Sequence, residues 1–158
     1  LKQDLYQALN TEQRIWTPLR SYERFTEGEK HRCIYALKTF LHEDNYRFNQ
    51  YFKHGADKWV MHSLYGKLSQ EGSSAILNVK QKSEEPGIPY TLRYWDPSTH
   101  CGILTFTNAQ GQRECELHLW EDDLMRSPSL YPCQKQYEEI CPGAEKYMTY
   151  SADCLSKV

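Results

Sequence analysis

The stretch RECELHLW, residues 113–120, alternates like a β-strand, because successive side chains of a strand point to opposite faces of the sheet. One face is apolar and holds Cys115, Leu117 and Leu119. The other face holds Glu114, Glu116, His118 and Trp120. An ordinary amphipathic strand would turn this second face to water. The rest of the sequence indicates whether this face is exposed to solvent or lines an enclosed polar site.

The composition describes a hydrophilic chain with an unusual number of aromatic rings. Its 158 residues carry a formal net charge of −2, so no basic excess indicates nucleic acid or an anionic membrane as a partner. The chain contains 12 Tyr, 5 Phe and 4 Trp at a mean hydropathy of −0.79. So many rings in so hydrophilic a chain favour rings that line a partly wet interior.

Cysteine usage predicts an oxidising compartment. The six cysteines form no CxxC pair and no Cys/His cluster at zinc spacing, so we expect disulfides and neither a metal nor a cofactor. The first ten residues lack the apolar stretch of a signal peptide, and no apolar run reaches the about 20 residues of a transmembrane helix. We therefore expect the mature form of a secreted protein.

Eight strand-like segments follow one another, separated by turn sequences such as TEGEK, HGAD, SEEPG and NAQGQ. With no helical pattern between them, they predict an all-β antiparallel barrel or sandwich over residues 14–121, within a single domain, 1–158. The segment DLYQALN predicts one or two helical turns ahead of the first strand. The predicted strands are 14–23, 33–41, 45–53, 58–68, 74–82, 89–95, 101–107 and 114–121.

A helix is predicted over residues 132–141, after the last strand. Pro132 suits a first helical position, and Pro142-Gly143 is a stop signal. Cys133 and Cys141 recur on one face of this helix, about 12 Å apart.

This spacing matches a second pair of cysteines. Cys101 and Cys115 lie on the two strands of one hairpin, offset by about 13 Å along the ladder. The helix is therefore predicted to be stapled twice across the outside of that hairpin. This leaves Cys33 to pair with Cys154.

A helix on the outside would cover the apolar face of residues 115–119 and turn Glu116 and His118 into the barrel. An eight-stranded barrel has room for one small ligand, and a carboxylate inside it must be paired or hydrogen-bonded. Arg20 shares the parity of Trp16 and Tyr22, and beside His118 it would receive a fatty-acid carboxylate or an eicosanoid hydroxyl. Alternation predicts the other lining residues as Trp16, Tyr22, Tyr35, Trp59, Tyr65, Tyr90, Leu92, Tyr94 and Phe106.

Each of these assignments has a structural alternative. Glu116 and His118 would also suit a solvent-facing strand, or a pair that satisfies itself without a ligand. The tyrosines would suit barrel packing, and Arg20 a surface position. The acidic run EDD, 121–123, is expected to be a solvated turn. The sequence contains no nucleophile elbow, no metal-ligand spacing and no phosphate loop, so no motif indicates an enzyme.

With this layout, nearly the whole chain resembles the lipocalins of tick saliva, the family that contains the histamine-binding proteins. The resemblance is carried by the cysteine framework and by the sequences YWDPSTH before Cys101 and CELHLW in the last strand. It implies an eight-stranded up-and-down lipocalin barrel with a C-terminal helix outside. The pair Cys115–Cys141 is similar to that of many hard-tick members, and with it Cys101–Cys133 and Cys33–Cys154 complete the expected set.

The resemblance also implies a function. Members of this family are secreted into the bite and sequester small host mediators, such as histamine, serotonin, leukotrienes, thromboxane or cholesterol-type lipids. Some members bind complement protein instead. The resemblance implies no enzyme activity.

This sequence departs from the pattern of the amine-binding members. Gly102 stands where they carry an acid after the cysteine, and the last strand reads Glu116-Leu117-His118 instead of Glu-Leu-Trp. Tyr65 and Leu92 occupy positions of lumenal acids. The few acids and many rings favour a lipid ligand such as a leukotriene, thromboxane or sterol. The alternatives are a biogenic amine held by Glu116, or a host protein bound through the outer surface.

Overall fold

The structure is a computed structural model that describes residues 1–56, 58–126 and 130–155. The last residues of the predicted single domain, 156–158, lie outside the described residues. A helix, a meander of strands, two short helices and a final 3₁₀ turn follow in chain order: α1 (Lys2–Leu9), β1 (Ile15–Arg20), β2 (Phe25–Thr26), β3 (Glu29–Lys30), β4 (Arg32–His42), β5 (Asn45–His54), β6 (Lys58–Glu71), β7 (Ser74–Lys80), β8 (Ile88–Asp96), β9 (Cys101–Thr107), β10 (Arg113–Trp120), α2 (Glu121–Met125), α3 (Gln134–Ile140), β11 (Tyr147–Met148) and Ala152–Leu155.

The long strands form a closed antiparallel barrel, which confirms the predicted fold class. Each of β4 to β9 pairs with the next strand along the chain, and β1 pairs with both β4 and β10. Closure depends on the β1–β10 ladder, in which Ile15 faces Trp120 and Arg20 faces Glu116. The topology is therefore an up-and-down barrel of eight strands, with β11 as an additional strand beside β1.

Glycine is required where the chain turns sharply or approaches itself closely. Gly72, in the turn between β6 and β7, has φ of 61°, a region that other residues enter at a cost. Gly66 faces the interior, where a Cβ atom would come within 2.9 Å of Leu77 and 3.1 Å of the Tyr46 ring. Gly66 therefore leaves room for this ring inside the barrel.

The helix α1 closes one end of the barrel. It buries Leu5 and Leu9 against the interior apolar cluster, as its amphipathic pattern predicts. The backbone oxygen of Ala8 accepts a hydrogen bond of 3.0 Å from the Trp120 indole. This end of the lumen is consequently sealed by apolar contacts.

The helix α3 lies outside the barrel over the apolar face of β10. Tyr137 is fully buried with Leu117 and Leu119, as the alternation of RECELHLW predicts. Disulfides join Cys101 to Cys133 and Cys115 to Cys141, so the helix is stapled at both ends.

The C-terminal segment completes the sheet where β1 and β4 diverge. These strands pair only near Trp16, and β11 pairs with the second half of β1. The backbone N–H of Cys33 donates to the Thr149 carbonyl, and the N–H of Thr149 donates to the Pro18 carbonyl. The predicted bridge of Cys33 to Cys154 fixes this segment to the barrel.

Several element predictions differ from the structure. The first strand ends at Arg20 instead of residue 23, and the turn TEGEK lies within the β2–β3 hairpin, which the sequence analysis did not predict. The run EDD begins α2 instead of forming a solvated turn. Asp123 is buried there, and its carboxylate lies 2.8 Å from Nδ1 of His100 and 2.8 Å from Arg126. These two partners offset the free-energy cost of burying this carboxylate.

The bridges are expected to differ in their contribution to stability. Replacing Cys33 and Cys154 by serine should lower the free energy of unfolding by about 5 kcal/mol, because the bridge spans 121 residues. Replacing Cys115 and Cys141 should cost about 3.5 kcal/mol, because that bridge spans 26 residues. Denaturant unfolding of the two double variants measures both values. Equal losses would contradict the dependence on loop length.

Candidate ligand-binding site

The open half of the barrel encloses a chamber with a volume of about 600 Å³. Ligand pockets typically measure about 300–1,000 Å³, so this chamber is large enough for one small molecule. Tyr90 and Glu116 line it and also the next compartment inwards, so they form its floor. The β2–β3 hairpin and residues 85–88 line its mouth. Apolar side chains along the wall are Ile34, Phe52, Leu64, Val79 and Ile88. We call this space the outer chamber.

Two smaller compartments continue towards the closed end, with volumes of about 60 and 30 Å³. Both are lined by Leu9 of α1 and by His118. Rings from the strand ends surround the deepest compartment, where His100 stacks on Trp120 with centroids 4.0 Å apart. Without rearrangement, the deep compartments have room only for small groups.

A bulge in β1 brings Arg20 into the lumen. Trp16 pairs with Leu119 and Leu19 pairs with Leu117, so two residues of β1, Thr17 and Pro18, stand opposite one residue of β10. An extra residue in one strand reverses the alternation beyond it, and proline suits this place because it has no N–H for the ladder. Arg20 consequently follows Ile15 on the inner face and pairs with Glu116.

Glu116 is buried at the floor of the outer chamber and is held as a carboxylate. Burial alone would raise its pKa, but hydrogen bonding and the charge of His118, together with Tyr22 and Arg20, lower the pKa below its ordinary value. Nε2 of His118 lies 2.8 Å from one carboxylate oxygen, and the Tyr22 hydroxyl donates to the other. The pKa of Tyr22 is raised well above its usual range, chiefly by burial and then by the charge of Glu116.

Arg20 is the cation of this floor, and only 4% of its surface is exposed. Its guanidinium lies over the Tyr22 ring, 4.6 Å from the centroid. Two of its nitrogens, Nε and Nη2, are buried without a hydrogen-bond partner among the described residues. These two nitrogens form one edge of the guanidinium, the edge that receives a carboxylate with two parallel hydrogen bonds.

Two further donors inside the barrel lack partners among the described residues. They are the Tyr46 hydroxyl, beside the middle compartment, and the Trp95 indole N–H, beside the deepest one. A buried donor without a partner costs about 1–3 kcal/mol, so such groups are uncommon in a finished core. The lumen thus offers free donors, whereas its carboxylate is already paired.

Cationic and imidazole groups surround the outer chamber. Arg24 lies 5.2 Å from the centroid of the Tyr22 ring, and Lys80 lines the wall. The His31 ring stacks on Phe52 with centroids 3.9 Å apart. Burial and then the charges of Arg20, His54, Arg24 and His62 lower the pKa of His31. Arg20, Arg24 and Lys80 outnumber the two acids of the chamber, Glu85 and Glu116, so a bound anion would reduce the repulsion between the cations.

A family model described as tick histamine binding protein matches residues 1–156. The chain belongs to this family. No curated protein sequence matches it.

Two solved structures share the fold of this family member. Japanin from Rhipicephalus appendiculatus, bound to cholesterol, is 17% identical, with a TM-score of 0.62 over 92% of this chain and 97% of that chain. The serotonin complex of AM182 is 12% identical, with a TM-score of 0.65 over 95% of this chain and 91% of that chain. At these identities the likeness shows the fold alone.

Seven of the residues predicted to bind a ligand lie on the inner face of this barrel. Glu116, Arg20, Tyr22 and Tyr90 meet at the floor of the outer chamber, and His118 and Leu92 line the deeper compartments. Phe106 supports the floor from behind, because its ring contacts those of Tyr22 and Tyr90 with centroids 5.3 and 4.9 Å away.

Two predicted residues are placed outside the lumen by bulges. Trp16 precedes the bulge in β1 and is fully buried in the apolar layer between the barrel and α3, which we call the outer core. Its indole N–H donates a hydrogen bond of 2.9 Å to Glu121. Tyr94 follows a bulge in β8 and packs against the same outer core. Strict alternation along a strand fails at an inserted residue, so both residues were assigned to the wrong face.

Three further predictions assigned the wrong face of a strand. Tyr35 shares the face of Cys33, and the Cys33–Cys154 bridge requires the outside of the barrel. Trp59 and Tyr65 are 40% and 44% exposed, because β6 turns Leu64 and Leu68 inwards. The face of β6 that carries the rings was predicted to be the inner one, but the face that carries the leucines is buried.

Several residues that shape the site were not predicted from the sequence. His31, Arg24 and Thr26 belong to the hairpin and its flanks, where only a turn was predicted. Trp95 reaches the deepest compartment because of the bulge before Tyr94. The proline in β1 was the available signal for the first bulge, and nothing in the local sequence marked the second.

Nothing in the described part of the chain indicates a metal site or a membrane span. No group of His, Cys, Asp and Glu there has the geometry to hold a metal ion. No described helix has the length and apolar character needed to cross a membrane.

The depressed pKa of Glu116 predicts a pH dependence of stability. Because its pKa is lower in the folded chain, the carboxylate contributes stability above about pH 4.5, and this contribution is lost as the pH falls through the folded pKa. The variant Glu116→Gln should therefore lose less free energy of unfolding between pH 5 and pH 3 than the unmodified chain.

Denaturant titrations at several pH values measure this difference. Glu139→Gln, on the exposed side of α3, is the matched control and should follow the unmodified chain. Identical slopes for Glu116→Gln and the unmodified chain would contradict the ionised, stabilising role of Glu116.

Proposed function

We propose that this family member is a secreted scavenger that holds a lipid carboxylic acid, of the leukotriene or thromboxane class, in the outer chamber. The carboxylate would enter first and pair with Arg20. The hydrocarbon chain would run along the apolar wall towards the mouth. The observation that carries this proposal is the buried edge of Arg20, which has two donors and no partner among the described residues.

The chemistry of this edge favours an anion over other ligands. A guanidinium with Nε and Nη2 free matches the two oxygens of a carboxylate, and burial strengthens such charge-assisted hydrogen bonds. Arg24 and Lys80 add positive charge around the same chamber. An acidic head group would therefore be attracted to the mouth and held at the floor.

The shape and lining of the chamber suit an amphipathic molecule. Phe52, Leu64 and Val79 form an apolar wall above Arg20. Burial of hydrocarbon against such a wall contributes about 0.8 kcal/mol for each CH₂ group, which is how a lipid reaches the tight binding that stoichiometric sequestration needs. A sterol would use the same wall but only one oxygen to meet Arg20.

We infer a binding role and not an enzymatic one from the state of the polar groups. Both oxygens of Glu116 are engaged by His118 and Tyr22, so this carboxylate holds the floor of the chamber together. The family and its solved relatives support this role, since their descriptions name bound small molecules.

A biogenic amine is the second candidate, and one observation favours it. Glu116 lies in the lumen close to the rings of Tyr22 and Tyr90, the kind of environment that replaces the water around an ammonium group. Both oxygens of Glu116 already accept hydrogen bonds, however, and Arg20 repels a cation. A lipid acid is therefore the better fit.

The lipid proposal predicts a specific loss on changing Arg20. Arg20→Gln should weaken the binding of a long-chain oxygenated carboxylic acid about tenfold to a hundredfold, because a charge-assisted pair is removed. Arg20→Lys should retain part of the affinity, since the charge remains and the fork is lost. Isothermal titration with the acid and with its methyl ester measures both effects.

The control is Arg113→Gln, an exposed arginine outside the lumen, which should bind as the unmodified chain does. Glu116→Gln separates the candidates, because it should abolish binding of histamine or serotonin if the chain is an amine binder. Equal affinity for the acid and its ester, or retention of an amine and no acid, would contradict the lipid-acid proposal.

A further inference from the structure

The outer face of the barrel carries a groove of about 640 Å³ that is formed mainly by β5, β6 and β7. Across the strands, Arg47 pairs with Tyr65 and Tyr65 pairs with Lys80. Two residues further along β6 on the same outer face, Lys67 pairs with Asn45 of β5 and with Asn78 of β7. Phe40 of β4 faces Arg47 and closes one side. We call this surface the basic groove.

The charges of the basic groove are not balanced within the described part of the chain. None of its lining residues there is an aspartate or a glutamate. Lys67 donates to the Asn45 side chain at 3.4 Å, and Lys80 donates to the Ser83 carbonyl at 3.1 Å. Arg47 lies over the Phe40 and Tyr65 rings, 5.1 and 5.9 Å from their centroids. Arg47 and Lys67 are exposed and Lys80 is half-buried, so three cations lie close together in a chain whose net charge is −2.

Two aromatic residues of the basic groove, Phe40 and Tyr65, are exposed although the barrel has an interior to place them in. Phe40 is 40% exposed and Tyr65 is 44% exposed. Cations and flat rings alternate along one row, with about 5 Å between neighbouring strands and about 10 Å from Arg47 to Lys80. Side-chain amides of Asn45 and Asn78 flank the second row.

We propose that the basic groove binds a sulfated glycan chain. Sulfate groups spaced along such a chain would meet Arg47, Lys67 and Lys80, and ring faces would receive the apolar faces of the sugars. Basic surface patches of this kind attract polyanions through the summed field of their cations. The groove lies on a sheet face, where the backbone is already paired, so it offers no edge to which a peptide would add as a strand.

This site does not depend on the ligand of the lumen. Arg47 and Lys67 line none of the three lumenal compartments, whereas Lys80 borders both the basic groove and the outer chamber. The two residues that belong to the basic groove alone are therefore the ones that test it. Binding of a sulfated glycan would retain the protein on tissue surfaces while the lumen remains open to a small molecule.

Chromatography and titration on immobilised heparin test the proposal with the full chain. The double variant Arg47→Gln/Lys67→Gln should bind heparin about tenfold or more weakly at physiological salt and elute at lower salt. Its dependence of affinity on salt should also be shallower, because fewer counterions are released from the polyanion. Lys58→Gln/Lys135→Gln removes the same charge at exposed sites outside the groove and should leave binding unchanged.

A third variant and two competitors define the ligand. Tyr65→Ser should weaken heparin binding without changing its salt dependence, because it removes a stacking surface and no charge. Desulfated heparin should fail to compete. Equal loss in the two double variants, or no retention of the unmodified chain at physiological salt, would overturn the proposal. Competition by polyglutamate as effective as that by heparin would overturn it in favour of an acidic protein partner.

Discussion

The ladder between β1 and β10 is the contact on which both the fold and the site depend. It closes the barrel, and its bulge at Thr17 and Pro18 decides which side chains of β1 face inwards. Without the extra residue, Arg20 would lie on the same face as Trp16, in the outer core. With it, the guanidinium lies beside Glu116 at the floor of the chamber. One inserted residue therefore places a charge in the interior of an otherwise regular barrel.

The cost of this arrangement is distributed over the surrounding structure. A buried carboxylate and a buried guanidinium are tolerated because His118 and Tyr22 hydrogen-bond to the acid and the Tyr22 ring lies against the cation. Outside the barrel, the apolar layer under α3 and the three disulfides supply stability independently of the lumen. Because the outer core and the disulfides stabilise the fold, the interior tolerates hydrogen-bond donors that have no partner among the described residues.

The sequence predicted the barrel and the position of α3 better than it predicted the lumen. Strand spacing and the cysteine pattern depend on long-range regularities that survive local irregularity. The face of RECELHLW was also predicted, because three apolar residues in alternation leave one arrangement under a stapled helix. Trp16 and Tyr94 were misplaced because each bulge reverses the alternation, and Tyr65 was misplaced because ring size was given more weight than the aliphatic face of β6. The proline at 18 marked one bulge, whereas the bulge at Arg93 follows from tertiary pairing with β9.

Glu116 already accepts two hydrogen bonds, whereas Nε and Nη2 of Arg20 have no partner among the described residues. The lumen therefore favours a ligand that accepts hydrogen bonds over one that donates them. The most direct test is a crystal structure of the chain grown with a long-chain oxygenated carboxylic acid. We expect one molecule in the outer chamber, with its carboxylate oxygens within about 3 Å of Nε and Nη2 of Arg20. A head group at the mouth with the hydrocarbon chain innermost, or an empty chamber beside an intact Arg20, would contradict it.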